Sequence, residues 1–450
     1  MRQNAPHGIN GTPRLYEQLV GMQRQRFGRD RNDGHLAGGN VRPMQGAFFG
    51  WRAVAGAFIL AVFGWGLGFY GPPIYLHAVQ EARQWSVVLV STAVTVHFLV
   101  GAVVVANLPI LYRRFGLPTV TKAGAVLLAL GVMGWATARE PWELLAATLL
   151  SGAGWVAMGA AAVNAIVAPW FALKRPAALS MAYNGASIGG VVFSPLWVVA
   201  ISSLGFPIAA MVIGGGMIVA VWLLAELVFS RTPENTGQLP DGGTPGTPVA
   251  TTTSTARPLP GALLWRDLRF LTLSAGMALG LFAQIGLIAH LFSVLVPALG
   301  GQTAGILMGL ATASAIAGRT LVGWLMPAGS DRRLIACASH VVQIAGSVAL
   351  IAAGGTDVVL LVAGVLLFGA GIGNTTSLPP LIAQVEFTKA DALRVVPLIV
   401  AIGQGTYSFA PAAFGALRAI SAAEATLMFI AAAAVQALAI AAFLSGRRGR

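Results

Sequence analysis

Residues 304–333 read AGILMGLATASAIAGRTLVGWLMPAGSDRR. About 23 residues of this stretch form one apolar or small run, enough for a helix to cross a bilayer. A single charge, Arg319, interrupts it. An arginine near a helix centre costs about 2.5–3.5 kcal/mol on insertion scales, so it needs an escape route or a role. Arg319 lies about two turns before Pro327, where the helix should reach the membrane surface. Two readings stand side by side. The guanidinium snorkels to headgroups or caps helix-end carbonyls, or it is a fixed cation in a substrate pathway.

Composition sets the class. The 450-residue chain is 56% hydrophobic and 10% charged, with mean hydropathy +0.76. A soluble protein carries about 25% charged residues, so this is an integral membrane protein with the lipid bilayer as its partner. The 56 glycines suit helices packed backbone to backbone in lipid. The one cysteine, Cys337, excludes an intrachain disulfide and a cysteine metal site. The histidines are scattered, so no metal or other cofactor is expected. The net charge of +13 does not imply nucleic acid, because the basic residues fall in short clusters between apolar runs.

Residues 1–50 are polar, rich in arginine and without periodicity, which predicts a disordered cytoplasmic tail. No apolar core follows a short basic start, so it is not a signal peptide. A membrane-surface role for its arginines and a true start at Met44 are alternatives. Six apolar spans follow, at about 54–78, 87–111, 120–137, 143–169, 178–202 and 207–229. The polar segment 231–265, rich in Pro, Gly and Thr through Pro260, reads as a flexible cytoplasmic linker. Six more spans lie at about 269–296, 303–326, 333–353, 358–382, 394–416 and 424–445. Spans of about 20 residues are helices, since barrel strands are about 10 residues long and alternate. The expected fold is all-α, with twelve transmembrane helices in two six-helix bundles, 51–230 and 266–446.

Loop charges give the orientation. Arg113, Arg114 and Lys122 follow span 2, and Lys174 and Arg175 follow span 4. Arg231, Arg257, Arg266 and Arg269 flank the linker, Arg332 and Arg333 follow span 8, and Lys389 and Arg394 follow span 10. The opposite loops hold only Arg83, Arg139 and Arg418. Even-numbered turns are therefore expected in the cytoplasm, with both termini cytoplasmic and the protein in the inner (cytoplasmic) membrane.

Six spans, a long linker and six spans resemble the major facilitator superfamily over about residues 50–446. Trp170-Phe171, then Lys174-Arg175, then a small-residue helix through Asn184, Gly185, Gly189 and Gly190 is similar to the monocarboxylate transporter and oxalate–formate antiporter branch. So is Gly318-Arg319, followed by Gly323 and Asp331-Arg332. The resemblance implies that the arginine holds a substrate carboxylate. The departures are specific. Arg113 stands where the superfamily's loop 2–3 has an aspartate, so the charge relay there is incomplete. Ala315 replaces the aspartate that monocarboxylate carriers place one turn before the arginine, and Phe69–Pro73 lacks their span 1 lysine. Gln404 lies near the place of the antiporters' span 11 lysine.

Polar side chains in spanning helices tend to face the bundle interior or a cavity. Besides Arg319, the candidate substrate-binding residues are Tyr70, Tyr75, His97, Asn164, Asn184, Gln284, His290, Asn374, Gln404 and Tyr407. They lie on spans 1, 2, 4, 5, 7, 10 and 11, whereas spans 3, 6, 9 and 12 are nearly bare. For each one, an interhelical hydrogen bond without a substrate role is the competing reading. Pro72-Pro73 and Pro379-Pro380 are expected to break spans 1 and 10, as hinges or as simple ends. Glu226 reads as an interfacial charge and His340 as structural, which leaves His97 and His290 as titratable groups for a coupled proton.

Two motif matches fail on context. Gly185-Ala-Ser187-Ile-Gly189 has the hydrolase-elbow pattern without a preceding strand. Gly369-Ala-Gly371-Ile-Gly373 lacks the spacing of a phosphate loop. Both are read as packing faces, and no enzyme is expected. The expected function is secondary transport by alternating access of a small organic anion such as a monocarboxylate, by a monomer, with a coupled proton as an option. The alternatives are efflux of amphipathic compounds and, in another class, a transporter-like sensor or scaffold.

Overall fold

The structure, a computed structural model, describes residues 48–242, 261–326, 330–420 and 425–447. The expected tail up to residue 47 and the centre of the linker, 243–260, lie outside the described residues. Among the described residues every regular element is helical. The first half contains α1 (Gly50–Arg83), α2 (Val87–Phe115), α3 (Leu117–Thr137), α4 (Pro141–Trp170), α5 (Arg175–Leu204) and α6 (Phe206–Phe229). The second half begins with one run, Leu268–Leu325, that bends at Gly300, φ +73°, into α7 (268–299) and α8 (301–325). It continues with α9 (Arg332–Ala352), α10 (Val358–Glu386), α11 (Ala390–Ile420) and α12 (Thr426–Ser445). The fold is thus the all-α membrane architecture that the hydropathy predicts. Spans 7 and 8 lack a loop, because glycine alone carries the reversal at its left-handed φ.

Turns are tight for visible reasons. Gly116 and Gly205, both at φ +79°, each precede a residue and then a proline that opens the next helix. Ser86, Asp267, Asp331, Asp357 and Thr388 accept backbone N–H groups at helix starts. Helices α1, α4 and α11 are interrupted at Phe69–Tyr70, Met158–Gly159 and Ser408–Phe409. In α1 the cause is Pro72-Pro73, which have no N–H to offer the carbonyls of Gly68 and Phe69. Pro379-Pro380, by contrast, do not break α10, which continues to Glu386. Open backbone in lipid would cost more than two missing hydrogen bonds.

Within the first half α1 packs on α5, and α3 on α4 and α6; within the second, α10 packs on the α7–α8 run and α9, and α12 on α9. The halves meet through α5 with α8, α2 with α11, and α1 with α7. These pairs exchange when six is added to each number, the signature of two related halves. Small residues permit the close approaches: Gly185 and Gly189 lie on α1 carbonyls, and Gly318 lies on the Ala370 carbonyl of α10. The pattern around Ser187 is therefore a packing face.

The face that carries the turns after even-numbered helices, here called the basic face, is held by polar contacts. Arg333 is 1% exposed and pairs with Glu386 through Nε at 2.6 Å and Nη2 at 2.8 Å. It also donates to Thr272 Oγ1 and to the carbonyls of Phe443 and Arg269, tying α7, α9, α10 and α12 together. In the first half Lys122 pairs with Glu226, which joins α3 to α6. The linker is not loose at its start. Gln238 accepts the Phe49 N–H, and Asp241 accepts the N–H groups of Ala172, Leu173 and Lys174 at the α4–α5 turn. Helices α9 and α12 are not bare either. Gln436 donates to Gln343 at 2.6 Å, and Gln343 donates to Thr375 at 3.1 Å, all buried.

Candidate functional site

Arg319 lies on α8 where α8 faces both α10 and the other half. Gly373 of α10 packs against its side chain, and the guanidinium crosses to α5, donating from Nη2 to Ser187 Oγ at 3.2 Å. Its Nε is buried without a hydrogen-bond partner, and no carboxylate pairs with it among the described residues. A cation removed from water is normally paired, because desolvation costs several kcal/mol per ion. This one has a single neutral partner.

Tyr70, at the interruption of α1, stands beside Arg319 and Thr312. Gly190 of α5 leaves room for both Tyr70 and the Thr312 methyl. The cluster therefore draws Tyr70 from α1, Ser187 from α5 and Thr312 and Arg319 from α8. Asn374 follows Gly373 on α10 and is buried with its Oδ1 unpartnered. Tyr407 is half-buried and meets Phe98 edge-on at 5.7 Å, where α11 crosses α2. Gln404, one turn earlier on α11, is half-buried as well. Asn184 is exposed on α5, one turn before Ser187. Of the contacts between the halves described here, the Arg319–Ser187 bond lies nearest the basic face.

Other candidates are occupied elsewhere. Tyr75 is buried among Trp135, Trp197 and Phe206 and donates to the Leu67 carbonyl at 3.2 Å. His97 spends Nε2 on the Gly68 carbonyl at 2.9 Å and Nδ1 on Ser151 at 2.8 Å. His290 is fully buried and bonds the Pro411 carbonyl at 2.9 Å through Nε2. The bonds of these three run within their own half, Tyr75 within α1, His97 from α2 to α1 and α4, and His290 from α7 to α11, while Nδ1 of His290 is buried without a hydrogen-bond partner. Asn164 bonds Tyr183 and the Ala160 carbonyl, joining α5 to the interruption of α4. Gln284 is buried on α7 with Oε1 unpartnered, outside the cluster.

Sequence reasoning missed Ser187, Thr312 and Tyr183. A hydroxyl in a small-residue run carries no charge or hydropathy signal. Only its place one turn from Asn184, on a glycine-lined face, could have marked Ser187.

The family model described as Major Facilitator Superfamily matches residues 54–404. A curated relative, MFS-type transporter 1 from Ophiocordyceps sp. (strain BCC 1869), is 30% identical over 195 residues. That match covers 42% of this chain and 42% of the relative, so the chain spans less than half of the relative's length. Among solved structures, the nucleoside transporter NupG superposes with a TM-score of 0.68 at 13% identity, over 88% of this chain and 100% of that one. A bacterial homolog of the human lysosomal transporter Spinster, inward-facing and occupied, gives 0.64 at 14% identity, over 88% and 97%. These two likenesses concern the fold. With the matched model spanning most of the chain, and with paired halves meeting around a half-buried cation, the protein belongs to the Major Facilitator Superfamily and is a membrane transporter.

Proposed function

We propose that the protein is a secondary transporter that moves a small organic anion, such as a monocarboxylate, by alternating access in the inner membrane, with both termini cytoplasmic. One observation carries the reading: a guanidinium between the two halves has one neutral partner and a buried, unpartnered Nε. A planar carboxylate supplies what that fork lacks, two acceptor oxygens and a negative charge. Tyr70 and Thr312 stand beside this arginine's site and would add hydrogen bonds, and Asn374, next in the chain to Gly373, carries an unpartnered Oδ1. Because Arg319 belongs to one half and Ser187 to the other, an anion there touches both rocking bodies. The Gly318-Arg319 and Trp170–Gly190 resemblance to the monocarboxylate and oxalate–formate branch supports the same substrate class. His97 belongs to the scaffold in this reading, not to a proton path.

The test is uptake of labelled small carboxylates into proteoliposomes, wild type against Arg319→Gln at matched incorporation. Saturable uptake lost in the variant supports the reading. Uptake that survives removes Arg319 from the pathway, and no uptake by either protein shifts the weight to efflux of amphipathic compounds.

A further inference from the structure

A second cationic feature lies away from Arg319, at the basic face of the second half. A cavity of about 500 Å³ is lined by Arg269, Arg332, Arg333 and Arg447, by Asp331 and Glu386, by Ser330, and by the apolar Ile382 and Val385. That volume is in the range of small-ligand sites.

The charges do not cancel. Glu386 neutralises Arg333, Asp267 takes Arg269 at 3.3 Å, and Asp331 takes Arg447 at 2.8 Å. Among the described residues Arg332 has no carboxylate partner and one hydrogen bond, from Nη1 to the Leu381 carbonyl at 2.8 Å. Arg447 uses only Nε on Asp331. Ser330 Oγ is buried without a hydrogen-bond partner beside them. Two guanidinium groups with unspent N–H donors and one idle hydroxyl thus share one cavity. Guanidinium forks favour oxyanions that accept several hydrogen bonds at once, and phosphate is the matching shape. The cavity also sits where four spanning helices end and has an apolar wall, the position in which basic pockets take lipid headgroups.

We propose that this cavity binds a phosphate group, held by Arg332 and Arg447 with Ser330 donating. The group comes either from an anionic lipid headgroup or from free phosphate. The site is independent of Arg319 and of the transported substrate.

The test follows the thermal unfolding midpoint of the purified full-length protein in detergent. One arm titrates inorganic phosphate against chloride at constant ionic strength. The other adds phosphatidylglycerol against phosphatidylcholine to the micelles. The expected result is a saturable rise in at least one arm, with half-saturation at least tenfold higher in both Arg332→Gln and Arg447→Gln. A rise with phosphatidylglycerol assigns the group to lipid, and a rise with phosphate alone assigns it to the free ion. Arg447 lies beyond the end of α12 with its side chain 38% exposed, so its variant keeps the helices. No saturable rise in either arm, or a rise unchanged in either variant, overturns the proposal.

Discussion

His97 donates from Nε2 to the carbonyl oxygen of Gly68, 2.9 Å away. That carbonyl is free because Pro72, four residues on, has no N–H. The donor assignment follows from the partner, since a carbonyl only accepts. Ser151 closes the arrangement: its hydroxyl meets Nδ1 at 2.8 Å and accepts the Trp135 indole N–H at 3.3 Å. The interruption in α1 is thus held by α2 and α4.

His97→Ala should therefore destabilise the fold by about 1–3 kcal/mol, the cost of a buried carbonyl without a donor. Thermal unfolding in detergent reads this directly. Transport by the remaining folded protein should keep its KM, because His97 touches no part of the cluster around Arg319.

Arg319→Lys keeps the charge and loses the fork. Saturable carboxylate uptake should persist with KM raised about tenfold or more, as expected when a bidentate contact becomes a point charge. Full affinity in this variant for every carboxylate would remove the bidentate role.

Arg333, which is buried, and Glu386, which is half-buried, form a pair in which each secures the other. Glu386→Gln leaves the Arg333 cation uncompensated and should cost about 3–5 kcal/mol. Arg333→Met combined with Glu386→Leu should recover much of that loss, because the double change buries no lone charge. A denaturation series of the three proteins gives the coupling.

The linker contact at the α4–α5 turn should depend on pH. Burial works to raise the Asp241 carboxyl, but the N–H groups of Leu173, Lys174 and Ala172 outweigh it and hold it below its ordinary value of 3.8. Asp331 is held low in the same sense, by Arg447 and the N–H groups of Leu334 and Arg333 against its burial. Because both folded values are depressed, their stabilisation is complete above the ordinary value and is lost as pH falls through the lower folded one. The hydrogen-exchange protection factors at residues 172–174, taken against the intrinsic rate at each pH, should hold from neutrality down to about pH 4 and fall below it. Asp241→Asn should give the lowered protection at neutral pH.

The chain by itself determined the all-helical membrane class and the places of the spanning helices. A backbone in lipid must satisfy its own hydrogen bonds, so run length and hydropathy suffice to count helices. It also marked Arg319, because a charge in an apolar run is conspicuous. Only the tertiary structure decided which polar groups meet. In helices apolar on every side there is no amphipathic stripe to say which way a residue faces. Tyr75, His97 and His290 carried the same signal as Tyr70, yet packing turned them into one half. Ser187, silent in the sequence, was brought to Arg319 by the α5–α8 crossing, and Thr312, equally silent, faces Gly190 of α5 across it. Gln343 and Gln436, on helices that looked nearly bare, found each other for the same reason: a buried amide must be paired, and only the packed fold supplies the partner.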